Sequence, residues 1–326
     1  MDMKGQPPES HFLSEPLYVI LGPTAVGKTE VGLHVAERLG AEIISADSAA
    51  VYRGMDIGTA KPTLEERARV PVHLIDVVEP DEPFTAAKFR ELALEAIRDI
   101  QARGKRVLIV GGTGLYLRVL LHGFSLAPPP SDPALRRHLQ QQVQQEGLTA
   151  LYERLQRIDP AAAARIHPHD AVRIMRALEV YEMTGKPISE WQSRAKSELP
   201  ALKFGLTMPR PLLYRRINER VDQMMAQGFL QEVQNLLSKG YNRELPALKG
   251  LGYRYLIAYL MGEMGLDEAV QQWKRDTRRF AKRQMTWFRR EPGVHWLDAS
   301  AGAGATAQTI VQMIEEQGGP HHGKGD

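Results

Sequence analysis

The apolar and polar positions divide the first part of the chain into short apolar runs and longer amphipathic stretches. The runs are LYVIL (17–21), AEIISA (41–46), VHLIDVV (72–78) and RVLIVGG (106–112), and each is short enough to be a buried strand. After the first run, apolar positions recur every four residues up to Gly40, and residues 85–104 also predict a helix. Strands that alternate with helices predict an α/β fold with a parallel sheet covered on both faces, in residues 1–125.

The pattern changes at SLAPPPSDP (125–133), which contains four prolines. The residues from there to about 200 are helix-like and rich in Gln, Arg and Ala, and from 209 onward the pattern is helical again. We therefore expect an all-helical insert at 126–205 and a helical C-terminal part at 206–316 that completes the core. Residues 317–326 are expected to be a flexible tail.

The strongest motif is GPTAVGKT, which follows the first strand and opens a helix. This is the context that a P-loop, G-x-x-x-x-G-K-[ST], requires, so the motif predicts a polyphosphate site. Backbone N–H groups and the helix N-terminus would hold a diphosphate, Lys28 would neutralise it and Thr29 would ligate Mg²⁺. The predicted diphosphate-binding residues are Gly22, Pro23, Thr24, Ala25, Val26, Gly27, Lys28 and Thr29.

The second half of a P-loop NTPase site is not evident. Such an enzyme needs a strand that ends in aspartate to hold the Mg²⁺ water shell, but the strand at 106–112 leads into Gly111, Gly112 and Thr113. Asp76 is the remaining candidate, and an apolar run followed by aspartate is a common pattern. An ATP site is therefore possible, but the sequence does not signal hydrolysis.

Composition excludes several other classes. The chain of 326 residues has 43% hydrophobic residues and no apolar run near eighteen residues, which favours a soluble protein with a substantial core. Its first sixteen residues show no export pattern, so we expect a cytoplasmic protein. The absence of cysteine excludes disulfides, thiolate zinc sites and a cysteine nucleophile. Net charge is only +3, yet a pI near 9.0 favours an anionic partner.

Asp47 follows the second strand, where the carboxyl end of a strand faces the ligand crevice of an open α/β sheet. A carboxylate there could ligate Mg²⁺, cap a helix or act as a general base. Because Asp followed by Ser at a strand-to-helix junction is also a capping pattern, position alone leaves capping and base catalysis equally open.

The segment Trp273–Glu291 carries eight basic residues and two acidic ones. If it is helical, Trp273, Phe280 and Trp287 repeat every seven residues on one side, which would pack, while Lys274, Arg278 and Lys282 follow another. A solvated face is the usual explanation for such a run. This density of basic residues beside aromatic ones suits a nucleic-acid phosphate backbone.

Six motifs in order over residues 18–298 resemble one family. They are GPTAVGKT, DSAAVYRGMDIGTAKP, HLIDVVEPDEPFTAAKFR, VGGTGLYLRVLLHG, RALEVYEMTGKPISE and AKRQMTWFRR. Together they are similar to the tRNA dimethylallyltransferases, the isopentenyl transferases that modify the adenosine just 3′ of the anticodon. Eukaryotic members carry a cysteine-containing zinc finger, so this cysteine-free chain resembles the bacterial type. The resemblance implies a P-loop NTPase-like core with an inserted helical tRNA-binding domain that clamps the anticodon stem.

The resemblance also implies a reaction. The P-loop would hold dimethylallyl diphosphate with Mg²⁺, and the prenyl group would move to the exocyclic N6 of adenosine while diphosphate leaves. Asp47 matches the catalytic carboxylate, Thr113 a residue near the reacting nitrogen, and Arg216 a diphosphate-binding arginine. The implied tRNA contacts are Asp47, Ser48, Ala49, Ala50, Thr113, Arg136, Val172, Arg173, Ile174, Met175, Arg176, Lys249, Gly250, Gly252, Tyr253, Arg254, Arg278, Arg279, Lys282, Arg283 and Gln284. The expected partner is the tRNA anticodon stem-loop, and the expected form is a monomer.

Three other functions are weighed against this one. A prenyltransferase acting on free AMP, ADP or ATP would share the fold and the donor, but it would need neither the basic segment nor the helical insert. A small-molecule kinase would explain the P-loop but not the Gly-Gly-Thr strand end. An RNA-binding module without catalysis would not need Lys28, Thr29 and Asp47 together.

Overall fold

The structure is a computed structural model and describes residue 13 and residues 15–123, 132–192 and 199–318. Residues 125–131 of the proline-rich segment, and 319–326 of the expected tail, lie outside the described residues. The chain divides into two compact units. One comprises the described residues of 1–121 and 199–326, and the other those of 122–198.

The first unit is built on a six-stranded sheet in the order β3-β2-β4-β1-β5-β6. The strands are β1 Leu17–Leu21, β2 Ala41–Ala46, β3 Val72–His73, β4 Arg106–Gly111, β5 Ala201–Thr207 and β6 Val294–Asp298. Each neighbouring pair is parallel. The prediction of a parallel α/β sheet with a P-loop NTPase-like core is therefore confirmed.

Fourteen α-helices are described along the chain. They are α1 Lys28–Leu39, α2 Leu64–Arg69, α3 Ala86–Ala102, α4 Gly114–Leu121, α5 Pro133–Glu146, α6 Leu148–Ile158, α7 Pro160–Ala163, α8 Ala171–Thr184, α9 Ile188–Gln192, α10 Arg210–Ala226, α11 Phe229–Ser238, α12 Leu251–Leu260, α13 Leu266–Phe288 and α14 Ala303–Gly318. None of the helices within the described ranges is long and apolar enough to cross a membrane.

The sheet of the first unit is covered on both faces, because its strands are apolar on both sides. Side chains of α1 and α14 pack on one face around Ile20, Leu108 and Phe204. Side chains of α3 and α4 pack on the other face around Val19 and Ile109. A further core lies among α10, α11, α12 and α13. The carboxyl ends of β1, β2 and β4 are thereby left open to a ligand.

The second unit consists of α5 to α9, and every element described within it is a helix. Asp132, Asp159 and Asp170 accept backbone N–H groups at the first turns of α5, α7 and α8, which explains where these helices begin. Its core includes Leu139, Leu155, Ile174 and Leu178.

Three boundaries predicted from the sequence were wrong. The third strand is only two residues long, because Leu74 and Asp76 adopt positive φ values of 63° and 56° and end the extended backbone. Residues 201–205, which we expected in the helical insert, lie in β5, and β6 lies in the expected helical C-terminal part. Because β5 and β6 are short, the alternation of apolar and polar residues within them is weak beside the helical pattern of the long stretches around them. The expected tail also begins later, since α14 extends to Gly318.

A buried carboxylate on β2 leads to a prediction about acid stability. Glu42, on β2, accepts hydrogen bonds from Arg103, one of them at 2.9 Å, and lies 2.7 Å from His73 Nε2. These bonds, that of Arg103 foremost, outweigh burial and lower the pKa of Glu42 from 4.5 to about 2. A carboxyl whose pKa falls on folding stabilises the folded state above its unfolded pKa, and this stabilisation is lost as pH falls from 4.5 toward 2.

We therefore expect Glu42→Gln to lower the free energy of unfolding at pH 7 by about 1–3 kcal/mol, a range reduced because Arg103 is partly exposed. The difference between variant and parent should shrink as pH is lowered from 4.5 to about 2. Urea unfolding at a series of pH values measures it, and Glu95→Gln, at an exposed position on α3, is the control. A difference that is independent of pH would contradict this account.

Candidate functional site

The phosphate loop lies between β1 and α1, at the middle of the sheet. Gly22, Ala25 and Gly27 have φ values of 154°, 63° and 100°. A Cβ on Gly22 would lie 2.7 Å from the carbonyl oxygen of Leu206, so both the backbone angle and the close approach require glycine there. Lys28 Nζ donates to the carbonyl of Pro23 at 2.8 Å, which folds the lysine back over the loop. The loop therefore has the geometry of an anion site at a helix N-terminus.

Three cationic side chains surround this loop. Burial, and then the nearby Arg220, lower the pKa of Lys28 to about 7, while Asp47 opposes the shift. Burial also lowers the pKa of Arg220, again opposed by Asp47. The Arg216 guanidinium lies against the loop, 3.7 Å from where a Cβ on Gly27 would be. Burial disfavours the charged forms of Lys28 and Arg220, and a nearby anion favours them. A site with these two buried cations is therefore suited to an anionic ligand.

Sequence reasoning missed Arg220. It assigned the diphosphate-binding role to Arg216, one turn earlier on α10, whereas Arg220 lines the cavity beside the loop and Arg216 does not. Both arginines come from the sequence LLYRRINER, and the helical spacing of four residues places both on the same side of α10. The sequence offered that spacing as a signal, but only the fold shows which guanidinium reaches the cavity.

Asp47 and Thr113 lie at the carboxyl ends of neighbouring strands. Asp47 Oδ1 accepts the N–H of Ala49 at 2.8 Å and that of Ala50 at 3.4 Å, so it caps the turn that follows β2. Thr113 Oγ1 accepts the N–H of Ser48 at 3.0 Å, which joins the two strand ends. Among the residues that the structure describes, none hydrogen-bonds to Asp47 Oδ2. One carboxylate oxygen is thus used in capping, and the other is available for chemistry.

Asp76, the candidate for the aspartate of an NTPase, is occupied by other partners. Its carboxylate accepts from Lys61 Nζ at 2.6 Å and from Arg67 at 2.7 Å. Lys61 is itself buried and also donates to Tyr52 O and to Asp56. Both oxygens of Asp76 therefore help to hold the chain around residues 56–61, and neither is available to bind a metal.

The segment 56–58 is held by a carboxylate that the sequence did not signal. Glu232, on α11, accepts the N–H groups of residues 56, 57 and 58 at 2.8, 2.7 and 3.1 Å, and the Tyr253 hydroxyl at 2.6 Å. A Cβ on Gly58 would lie 2.2 Å from the ring of Phe229, so this turn packs directly on α11. The residues that follow, 58–62, form one wall of the cavity.

These elements enclose a cavity of about 390 Å³. It is lined by the loop residues Thr24, Ala25, Lys28 and Thr29, by residues 47–50 and 110–113, by Arg220, by residues 249–253, and by Trp273, Thr277, Phe280 and Gln284 of α13. Polar groups for an anion and apolar side chains therefore share one space. Its volume suits a small molecule rather than a single ion.

Helix α13 does not divide into faces as the seven-residue repeat predicted. Trp273 is buried, but Phe280 is 38% exposed and borders the cavity. Lys274, expected on the positive face, is largely buried and pairs with Asp222 at 2.6 Å. Lys282 and Arg283 are exposed. The turn-by-turn contacts of α10 and α12 with α13 decide these orientations, and periodicity alone could not show them.

The predicted RNA contacts of the first unit differ in how accessible they are. Lys249 is exposed, and Arg254 is exposed while paired with Asp276 at 2.7 Å. Arg278 donates to Asn218 at 2.7 Å, and Arg279 pairs with Asp276. Gly252 and Tyr253 are buried, so they shape the cavity wall rather than a surface.

The predicted contacts of the second unit also separate into two groups. Val172 and Arg173 are exposed, whereas Ile174 is fully buried in the core and its side chain cannot touch RNA. Arg136 and Arg176 both donate to the buried carboxylate of Glu179, at 3.0 and 2.6 Å. Their guanidinium groups are thus held in place and half exposed or less.

The residues fit a magnesium ion bound together with a diphosphate. Thr29 is exposed in the first turn of α1 and lines the same cavity as Asp47. Among the described residues, no group of three or more His, Cys, Asp or Glu side chains could hold a metal by itself. Mg²⁺ usually keeps several waters and binds through one or two protein oxygens plus substrate phosphates, which is what this donor set offers.

Comparison with known proteins points to one family. Residues 50–291 match the family model described as IPP transferase. The tRNA dimethylallyltransferase of Geobacter metallireducens is 54% identical over 298 residues, which cover 90% of this chain and 96% of that protein. The enzyme of the same name from Pelotomaculum thermopropionicum is 50% identical over 305 residues, 92% of this chain and 97% of that protein.

Solved structures agree with these sequence matches. The tRNA isopentenylpyrophosphate transferase of Bacillus halodurans is 42% identical, with a TM-score of 0.69, over 94% of this chain and 98% of that one. A eukaryotic dimethylallyltransferase acting on tRNA is 27% identical, with a TM-score of 0.78, over 95% of this chain and 82% of that one.

Proposed function

The chain belongs to the IPP transferase family and transfers a dimethylallyl group to tRNA, and we propose that the acceptor atom is N6 of the adenosine just 3′ of the anticodon. The donor is dimethylallyl diphosphate. The observation that carries the proposal is that the phosphate loop, Asp47 and Thr113 line one cavity. Dimethylallyl diphosphate held at the phosphate loop and an adenine ring held beside Asp47 would therefore meet in the same cavity.

In the reaction, N6 attacks the first carbon of the allyl group, the bond from that carbon to the diphosphate oxygen breaks, and N6 loses a proton. The products are N6-dimethylallyladenosine in tRNA and diphosphate. Asp47 Oδ2 accepts the proton, while Oδ1 keeps the turn at 47–50 in place. Thr113, joined to Ser48, orients the nitrogen and the bridging oxygen.

The leaving diphosphate gains charge as the carbon–oxygen bond breaks. Lys28, the loop N–H groups and Arg220 would stabilise that charge, and the interactions of the two buried cations are strong because they are shielded from solvent. Mg²⁺, held by Thr29 and the diphosphate, would supply further charge stabilisation when bound. Because the nucleophile is the N6 amine, the site requires no residue that activates a water.

The RNA reaches this cavity from its rim. Lys249, which lines the cavity, and Lys282 and Arg283 of α13 are exposed basic groups of the first unit. The adenosine must leave the anticodon-loop stack to reach the cavity, as bases do in other enzymes that modify them. We propose the anticodon stem-loop as the recognised element. We also propose that the acting form is a monomer, because the phosphate loop, Asp47, Thr113 and Arg220 already meet in one cavity within a single chain.

One assay tests this function against its rivals. The protein is incubated with Mg²⁺ and labelled dimethylallyl diphosphate, with unmodified tRNA or AMP as acceptor, and with γ-labelled ATP in a parallel reaction. We expect label only in tRNA, at the adenosine just 3′ of the anticodon, as isolation and sequencing of the labelled oligonucleotide after partial ribonuclease digestion would show. Label in AMP alone, or phosphate transferred from ATP, would overturn the proposal.

A further inference from the structure

Gln284, in the middle of α13, was expected to touch RNA, yet both polar atoms of its side chain are used inside the protein. Its Oε1 accepts the N–H of Thr24 at 2.8 Å, and its Nε2 donates to the carbonyl of Gly112 at 2.9 Å. The residue is 8% exposed. We propose that Gln284 is a positioning residue, which holds the phosphate loop and the turn before Thr113 in their working geometry.

The geometry of the contact supports this role. Thr24 belongs to the phosphate loop, and Gly112 precedes Thr113, so one amide joins the donor side of the cavity to the acceptor side. A Cβ on Gly112 would lie 2.8 Å from Gln284 Nε2 and 3.4 Å from Lys28 Nζ. The Gln284 amide and the Lys28 amino group therefore both lie close to the Gly112 backbone, and a side chain there would displace them.

Glutamine is well suited to this bridge. A primary amide offers one acceptor and one donor group at a fixed separation, which matches one backbone N–H and one backbone C=O. Glutamate could still accept from Thr24, but it would present its second oxygen to the Gly112 carbonyl and place a negative charge near the leaving diphosphate. Methionine has a similar shape and can form neither of the two bonds. Methionine would therefore leave the Thr24 N–H and the Gly112 carbonyl without their partner, which destabilises this arrangement of the loop and the turn.

The position on α13 explains why the role matters for the reaction. Lys282 and Arg283, on the exposed side of the same helical turn, are predicted RNA contacts, whereas Gln284 faces the cavity. One helix therefore carries part of the RNA surface and also fixes two parts of the reaction site. If the Thr24 N–H and the Gly112 carbonyl shift, the donor and the attacking nitrogen lose alignment.

The test rests on the proposed function and compares Gln284→Met and Gln284→Glu with Gln272→Met. Gln272 lies on the same helix and does not line the cavity, and its amide donates to Glu268 at 2.9 Å. We expect both Gln284 variants to lower kcat/KM for dimethylallyl diphosphate by about 10- to 100-fold, because misplacement of about 1 Å can cost that much. Their Kd for tRNA, measured by anisotropy, should stay within about twofold of the parent value.

A second measurement separates positioning from simple loss of stability. Diphosphate with Mg²⁺ should raise the Tm of the parent and of Gln272→Met, and raise it less for either Gln284 variant. Three results would overturn the proposal. The first is a weakening of tRNA binding of about tenfold or more with unchanged donor kinetics. The second is a lower Tm with unchanged kcat/KM at a temperature where the variant is folded. The third is equal loss in Gln272→Met. If the parent itself transfers nothing to tRNA, the proposed function fails instead.

Discussion

Replacing Asp47 with asparagine is expected to lower the rate of dimethylallyl transfer by about 10²–10⁴-fold, because removal of a general base typically costs that much. Asparagine is the sharper substitution, since its side-chain oxygen can still accept the N–H groups of Ala49 and Ala50. The turn at 47–50 should therefore remain, and only the proton acceptor is lost. Alanine would remove the cap and the base together.

The measurement is a single-turnover reaction with enzyme in excess, because this separates the chemical step from product release. Anisotropy with labelled tRNA should give a Kd within about twofold of the parent value. Asp81→Asn, at an exposed turn position, is the matched control and should leave the rate unchanged. Turnover of Asp47→Asn that stays above about a tenth of the parent rate would show that Asp47 is not the base.

Replacing Arg220 with glutamine is expected to lower kcat/KM for the donor by about 10²–10³-fold, the usual cost of removing one preorganised group that stabilises developing charge. Arg220 lines the cavity and is electrostatically coupled to Lys28 and Asp47. Inhibition by added diphosphate should weaken as well, because the proposed role has the same guanidinium hold the diphosphate product.

Two neighbours on α10 make this experiment decisive. Arg215→Gln, at an exposed position on the same helix, should behave as the parent. Arg216→Gln tests the assignment made from the sequence motif, since Arg216 lies against the loop beside Gly27 but does not line the cavity. A large loss in Arg216→Gln together with a small change in Arg220→Gln would reverse the roles given to the two arginines.

The sequence predicted those features whose physics is local. The P-loop could be identified because its glycines, its lysine and its preceding strand are contiguous, and the structure shows the positive φ values that such a turn needs. Asp47 could be placed at the ligand crevice because it follows a strand, and in an open parallel sheet the carboxyl ends of the strands border that crevice. Its position left capping and base catalysis equally open. The structure shows that Oδ1 caps the turn, and among the described residues Oδ2 has no hydrogen bond. Oδ2 is the oxygen to which we assign the base role that Asp47→Asn tests.

Charge and packing were harder to predict from the pattern of the chain. The basic segment at 273–291 was expected to show one packed side and one positive side, but Lys274 is largely buried against Asp222 and Phe280 borders the cavity. The third strand was expected to reach residue 78 and ends at His73, since the backbone turns at Leu74. Which side chains are buried and where a strand ends depend on the elements packed against it, and a single stretch of sequence does not show which elements those are.

The sequence by itself determined the strand-loop-helix of the P-loop motif, the parallel α/β character of the core and, through its linked motifs, the family. The tertiary structure alone decided that Arg220 reaches the cavity, that Glu232 holds the turn at 56–58 and that Gln284 joins the phosphate loop to the end of β4. Along the chain, Gln284 is 172 residues from Gly112 and 260 from Thr24, and Glu232 is 174 to 176 residues from the turn at 56–58. A hydrogen bond or a charge acts over a few ångströms in space, so only folding brings such residues within reach of one another.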